Sequence, residues 1–125
     1  MIDLETVEQA HHILIERFGG SKGIRDQSGL EAAINRPYAT FDQQDLYPTA
    51  LEKSVAIFES LIINHPFLDG NKRIAYLMFE LILAEDNFGI NASQDEKYEM
   101  VISASTGELK FDGILQWLKD RIINI

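Results

Sequence analysis

The 125-residue sequence contains no cysteine and is short of positive charge. Without cysteine the chain has neither a disulfide framework nor a thiolate metal site, although it is long enough to bury a core without either. Eleven basic residues against twenty acidic ones give a formal charge of −9, which repels nucleic-acid phosphates and favours a basic partner segment. The longest apolar stretch is interrupted by Glu80 and falls short of the roughly 20 residues that span a bilayer.

What is present predicts a soluble globular protein. Hydrophobic residues make up 46% of the chain and charged residues 25%, proportions that are typical of globular proteins. The length fits a single domain over residues 1–125. Met1 is followed by Asp3 and Glu5 rather than by a basic segment and an apolar run, so we find no signal peptide and expect a cytoplasmic protein.

The spacing of apolar residues predicts a compact all-α fold, a bundle of about six helices around a central one, without a convincing strand. The first helix is predicted over residues 4–18, between Asp3 and Gly19. Three residues each precede a glutamate by three positions, the spacing of a capping box that begins a helix: Ser28, Thr49 and Ser93.

The central helix is predicted from about Asn71 to Asn87, where apolar residues occur nearly all round the helix axis. The helix before it must end near Asn64, because Pro66 disfavours helical geometry at His65. The last helix is predicted to be capped by Asp112 and to direct four side chains inward, those of Ile114, Leu115, Leu118 and Ile122.

Residues 36–48, RPYATFDQQDLYP, have no sustained period, so we interpret them as a loop or flap. Tyr38, Phe41 and Tyr47 stand there among polar residues. These aromatic side chains are either hydrophobic anchors that hold the flap down or contacts for a polypeptide substrate.

The stretch HPFLDGNKR, residues 65–73, places two cations in the first turn of the central helix. The helix dipole disfavours a cation there by about 0.3–1 kcal/mol. The loop Asp69-Gly70-Asn71 leads into exposed N–H groups that form an anion site, and Gly70 allows close approach of the backbone. A bound phosphate would make Lys72 and Arg73 favourable, so we predict a phosphate site.

Two further residues of this stretch predict chemistry at that site. Asp69 would repel a phosphate unless a hard cation such as Mg²⁺ lay between them. The imidazole of His65 can take a proton from a hydroxyl near neutral pH. Taken singly, His65 and Asp69 could be helix caps and the two cations solvated surface charges, but their joint order and spacing favour a catalytic site. The adjacent pair His11-His12 does not share a helix face, and we assign it to packing.

The stretch HPFLDGNKR resembles the motif of the Fic/Doc family, and its lysine form resembles the Doc (death-on-curing) branch. The resemblance extends through GIRDQSGLEAAINRP, DLYPTALEKS and STGEL. It implies a helical bundle around the motif helix and a toxin that transfers the γ-phosphate of ATP, with Mg²⁺, to a hydroxyl of a translation factor such as elongation factor Tu. It also implies a Phd-like antitoxin, a segment of which docks as a helix in a groove.

By the same resemblance, His65 would be the catalytic base and Asp69 the Mg²⁺ ligand. The phosphate cradle would comprise Gly70, Asn71, Lys72 and Arg73, and the substrate flap would include Arg36, Tyr38 and Phe41. AMP-transferring relatives have glycine where this chain has Lys72, and longer ones carry a second arginine where it has Tyr76. AMP or other nucleotidyl transfer is therefore the alternative activity, and a catalytically idle module that binds its antitoxin is a second alternative.

Overall fold

Six amphipathic or apolar segments form helices in the computed structural model, which describes residues 1–125. Their bounds are α1 (Leu4–Phe18), α2 (Gln27–Asn35), α3 (Ala50–Asn64), α4 (Asn71–Glu85), α5 (Gln94–Ser105) and α6 (Phe111–Lys119). The helical fold class and the number of helices predicted above are confirmed. None of these helices has the length and the apolar character needed to cross a membrane.

The centre of the fold is the pair α3 and α4, whose apolar faces pack against each other. Phe58 of α3 and Phe79 of α4 lie with their ring centroids 5.0 Å apart, and both side chains are fully buried. One core cluster of 22 buried residues surrounds this contact and draws on all six helices. The predicted central position of α4 is confirmed. Among the apolar residues of this helix, however, Leu77 is exposed.

Side-chain caps begin four of the six helices. Asp3 accepts a hydrogen bond from the N–H of Thr6, and Thr49 accepts one from that of Glu52. The capping box at Ser93 is complete. The prediction of a cap at Ser28 was wrong, because the cap lies two residues earlier, at Asp26, whose carboxylate accepts the N–H of Gly29.

The cap predicted at Asp112 was also wrong. Helix α6 begins at Phe111, which puts Asp112 inside its first turn, and Lys110 precedes it without a side-chain cap. Ile114 and Leu118 are buried as predicted, but Ile122 lies beyond the helix.

Two short antiparallel ribbons lie in segments where no strand was predicted. In the flap, a 3₁₀ turn at Arg36–Tyr38 leads into a hairpin of β1 (Thr40–Phe41) and β2 (Gln44–Asp45). The second ribbon pairs β3 (Phe88–Ile90) with β4 (Ile122–Asn124). Helix α4 therefore ends at Glu85 rather than Asn87, which turns the chain into β3 with a left-handed φ of 63°. Strands of two or three residues leave too little alternation to be predicted.

The loop after α1 runs beside the loop that joins α3 to α4. The N–H groups of Arg25 and Asp26 both donate to the carbonyl of Pro66, and Ile24 pairs with Phe67 as an isolated antiparallel bridge. This pairing holds the HPFLDGNKR loop against the loop that follows α1 and so positions the site described next.

Candidate active site

A cavity of about 720 Å³ opens at the N-terminus of α4. Six of the residues predicted to form the site line it: His65, Asp69, Gly70, Asn71, Lys72 and Arg73. The opposite wall comes from the end of α1 and from α5. The structure thus brings the predicted base, the carboxylate and the phosphate cradle together around one space.

The first turn of α4 presents free N–H groups and unpaired cations to this cavity. Gly70 precedes the helix in a left-handed conformation, with φ 76°, and offers no side-chain cap. A Cβ on Gly70 would stand 3.3 Å from Cδ1 of Ile15, so glycine also suits the packing here. Lys72 and Arg73 are exposed, and neither takes part in an ion pair. The arrangement suits an anion with several oxygens.

One of these cations also packs on an aromatic ring. The guanidinium carbon of Arg73 lies 4.4 Å from the ring centroid of Phe18, the last residue of α1. A cation over an aromatic face is stabilised by about 0.5–1 kcal/mol at an exposed site. The contact holds the Arg73 head group at the rim of the cavity without neutralising its charge.

His65 terminates α3 in a left-handed backbone conformation, with φ 47° and ψ 55°. For a residue other than glycine this conformation costs roughly 1–2 kcal/mol. Strain of this kind is found at functional sites, where the surroundings impose it. The ring nitrogen Nδ1 lies 3.4 Å from Nδ2 of Asn71. This separation is long for a hydrogen bond, so the contact does not fix which nitrogen carries the proton.

The side chain of Asn71 holds the loop together. Its Oδ1 accepts the N–H of Phe67 and its Nδ2 donates to the carbonyl of Phe67, both at 3.0 Å. Asn71 and Phe67 are both buried. Both polar atoms of the amide are therefore engaged within the loop, while the second N–H of Nδ2 and the backbone N–H of Asn71 are left for other partners. The amide thus has a structural role in the loop, and the part of Asn71 in the phosphate cradle stays a prediction.

Asp69 is held from two directions. Its Oδ2 accepts the N–H of Ser21 at 2.8 Å, and its backbone carbonyl accepts from Nε2 of His11 at 2.7 Å. The carboxylate is exposed and has no cationic partner. The chain holds no cluster of three side chains suited to a metal. A single carboxylate nevertheless fits Mg²⁺, which binds through one or two carboxylates and completes its shell with phosphate oxygens and water.

His11, which we had assigned to packing, connects α1 to the motif loop. It is buried, and its ring stacks on Phe67 with centroids 3.7 Å apart. Since a carbonyl can only accept, Nε2 of His11 must carry the proton that bonds to Asp69. The sequence signal for this burial was available: His11 lies four residues after Val7 and seven after Leu4, on the apolar face of α1.

The predicted flap residues do not line the cavity. Nη1 of Arg36 donates to Glu59 at 2.9 Å, and its Nε donates to Tyr47 at 3.0 Å. Burial alone lowers the pKa of Arg36, but these hydrogen bonds outweigh it and the pKa is raised. The hydroxyl of Tyr38 accepts the N–H of Ile2, and Phe41 is exposed on the β1–β2 hairpin. Arg36 and Tyr38 thus anchor the flap, while Phe41 remains free to meet a substrate.

The far side of the cavity contains a tyrosine that sequence reasoning did not place in the site. The hydroxyl of Tyr76 is buried and has no hydrogen-bond partner. Burial, with a smaller effect from Glu80, raises its pKa well above the usual value. Glu80 instead pairs with Lys97 of α5 at 3.3 Å, and the Lys97 ammonium lies 5.9 Å from the Tyr76 ring centroid.

The residues on α5 that face this side of the cavity could not be predicted from sequence. Lys97 and Tyr98 line the cavity although they lie more than twenty positions from the motif. Nothing in their own spacing indicates a site, and only the packing of α5 against α4 brings them to it.

Comparison with known proteins agrees with this fold. A family model described as the Fic/DOC family matches residues 1–83, and the chain belongs to that family. Toxin Doc of Mycolicibacterium smegmatis (strain ATCC 700084 / mc(2)155) is 46% identical over 59 residues, which are 47% of this chain and 45% of that protein. Protein kinase doc of Escherichia phage P1 is 27% identical over 118 residues, 94% of this chain and 92% of that protein. The chain thus spans less than half of the mycobacterial relative and most of the phage one.

Proposed function

We propose that this chain is a toxin enzyme of the Doc type, which transfers the γ-phosphate of ATP to a hydroxyl of a bacterial protein. The observation that carries the proposal is the convergence of a histidine, a carboxylate and two unpaired cations on one cavity at the start of α4. The relatives named Toxin Doc and Protein kinase doc support the toxin and the kinase parts respectively.

In the proposed reaction, the imidazole of His65 takes the proton of the acceptor hydroxyl as its oxygen attacks the γ-phosphorus. The new O–P bond forms while the bond from the γ-phosphorus to the β–γ bridging oxygen breaks, and ADP leaves. A positioned base of this kind contributes roughly 10²–10⁴-fold to the rate. Lys72, Arg73 and the free N–H groups of α4 neutralise the charge spread over the phosphate oxygens.

Asp69 is the residue that would hold the magnesium ion of the nucleotide. The ion, when bound, neutralises phosphate charge and orients the triphosphate. Ser21 leaves one oxygen of the Asp69 carboxylate free for this role, because its N–H occupies only Oδ2. The hydrogen bond from His11 fixes the backbone from which this carboxylate projects.

Lys72 supports phosphate transfer over AMP transfer. Its side chain lines the cavity in the first turn of α4. The resemblance to the family implies that a glycine at this position leaves room for two further phosphates beyond the reacting one, which a lysine side chain would obstruct. A nucleotide turned so that its γ-phosphate meets the cradle avoids this obstruction.

The cavity mouth supports the proposed antitoxin partner. Four large apolar side chains around it are exposed: Phe18, Leu68, Leu77 and Tyr98. Exposed apolar residues along a groove between helices suit the apolar face of an amphipathic helix. We therefore assign this groove to a helix of a Phd-like antitoxin, for which the net charge of −9 favours a basic segment.

Label transfer from ATP tests the proposed activity. The protein is incubated with purified elongation factor Tu, the proposed target, and Mg²⁺, with ATP labelled in parallel at the α- or the γ-phosphate. Transfer of the γ-label with a phosphate-sized mass gain is the expected result. Transfer of the α-label with an AMP-sized gain would refute phosphate transfer. Absence of any transfer to this factor, followed by γ-label transfer to another protein of a cell extract, would refute the target alone.

A further inference from the structure

We infer that Arg25 is a positioning residue for His65, an inference that rests on the proposed catalytic function of that histidine. The Arg25 guanidinium donates from Nε to the backbone oxygen of His65 at 2.8 Å and from Nη2 to that of Asn64 at 2.7 Å. Both oxygens lie at the carboxyl end of α3, where carbonyl groups lack partners within the helix and a cation is favoured. One side chain therefore bridges the two carbonyl groups at the exit of the helix.

These two carbonyl groups determine the backbone conformation of His65. The carbonyl of Asn64 belongs to the peptide plane before His65, and the carbonyl of His65 belongs to the plane after it. Fixing both planes fixes φ and ψ of the residue between them. His65 holds a left-handed φ of 47°, which a non-glycine residue keeps only where the surroundings impose it. The Arg25 fork imposes it and thereby sets the direction of the Cα–Cβ bond from which the imidazole projects.

The backbone of Arg25 is anchored independently of its side chain. Its N–H donates to the carbonyl of Pro66 at 2.7 Å, and the N–H of Asp26 donates to the same oxygen at 3.0 Å. These bonds and the bridge between Ile24 and Phe67 survive the loss of the guanidinium. Removal of the Arg25 side chain should therefore release His65 without detaching the loop, and it leaves the phosphate cradle on α4 intact.

Steady-state kinetics and nucleotide binding test the inference. Arg25→Ala should lower kcat by about ten-fold or more, because displacement of a catalytic group by about 1 Å can cost about 10² in rate. The nucleotide Kd should change by less than about two-fold, because the cradle is untouched. Arg25→Lys should retain more of the wild-type rate than Arg25→Ala. If Arg25→Ala does not fold, the same measurements are made on Arg25→Lys. Arg17→Ala removes the same charge at an exposed helix end and should change neither quantity.

A double-mutant cycle separates positioning from general structural damage. In a His65→Ala background, Arg25→Ala should cause no further loss of residual rate, because its effect passes through the missing imidazole. An additional loss in that background, or an equal loss of kcat from Arg17→Ala, would overturn the inference.

Imidazole NMR signals provide a readout that does not depend on activity. The chain has three histidines, so their ring signals are readily assigned by substitution. Arg25→Ala should shift or broaden the His65 signals and leave those of His11 and His12 in place. Unchanged His65 signals, or equal shifts of all three, would overturn the inference. A third outcome is that Arg25→Ala shifts the His65 signals although the wild-type protein transfers no label to any protein. That outcome would uphold the positioning by Arg25 and refute the proposed function.

Discussion

The amide of Asn71 should stabilise the fold strongly, because it pairs both backbone polar groups of Phe67. The two hydrogen bonds are 3.0 Å long, and Phe67 is 2% exposed. Replacement by alanine leaves a buried N–H and a buried carbonyl without partners. Each of the two unpaired groups costs about 1–3 kcal/mol, so Asn71→Ala should lower the free energy of unfolding by about 2–6 kcal/mol. That is a large fraction of the roughly 5–15 kcal/mol typical of a folded domain.

Urea unfolding followed by circular dichroism measures this loss. Asn71→Asp keeps an acceptor for the Phe67 N–H but loses the donor and sets a buried carboxylate oxygen against the Phe67 carbonyl, so it should cost at least as much as alanine. The matched control is Asn91→Ala, because Asn91 is exposed and its side chain makes no hydrogen bond; it should cost less than about 0.5 kcal/mol. A loss from Asn71→Ala no larger than that of the control would refute the assignment of the amide to the loop.

Three other predictions concern residues outside the motif. Tyr76→Phe removes a buried hydroxyl without a partner and should leave the free energy of unfolding unchanged or raise it by up to about 1 kcal/mol. Arg36→Leu leaves the carboxylate of Glu59, which is 14% exposed, without its cation. It should lower the free energy of unfolding by about 2 kcal/mol, less than for a fully buried pair because the guanidinium is partly exposed. Hydrogen bonding to Arg121 lowers the pKa of Glu96 from its usual 4.5. The ionised Glu96 therefore stabilises the fold above that pH, and this stabilisation is lost as the pH falls further. The difference in unfolding free energy between the wild type and Glu96→Gln should accordingly shrink in acid.

Each of these predictions has its own control, read in unfolding titrations. A loss above about 1 kcal/mol from Tyr76→Phe would show that the hydroxyl has a partner after all. Combining Arg36→Leu with Glu59→Leu should cost less than Arg36→Leu alone, and an equal or larger loss would contradict the ion-pair explanation. A stability difference for Glu96→Gln that is constant between neutral pH and pH below 4.5 would contradict the cause given for the pKa shift.

The sequence predicted those features that depend on local pattern. The apolar periodicity of α1 and the buried character of α4 identified the helices, and the order of charged and turn residues identified the motif at its start. The helix start at Asp26 was missed because Ser28 offers the same local spacing, and only the pairing of this loop with Pro66 favours Asp26. Local sequence pattern therefore does not identify the capping residue where two candidates have the same spacing and a tertiary contact decides between them.

Contacts between distant segments could not be predicted. The motif predicted Asn71 as a phosphate ligand but gave no sign that its amide pairs with Phe67, a contact that depends on the path of the loop. The bonds from Arg25 to the end of α3 span about forty positions of sequence and leave no periodic signal. His11 was the exception, since its place on the apolar face of α1 indicated burial although its partner was unknown.

Killing of bacterial cells by the expressed chain, with and without the imidazole of His65, tests the proposed enzyme most directly. The wild type should arrest growth, and His65→Ala should abolish the arrest while it still binds the antitoxin. His12→Ala, which alters an exposed histidine on α1, should arrest growth as the wild type does. Undiminished killing by His65→Ala would contradict catalysis at this cavity and leave binding as the source of toxicity.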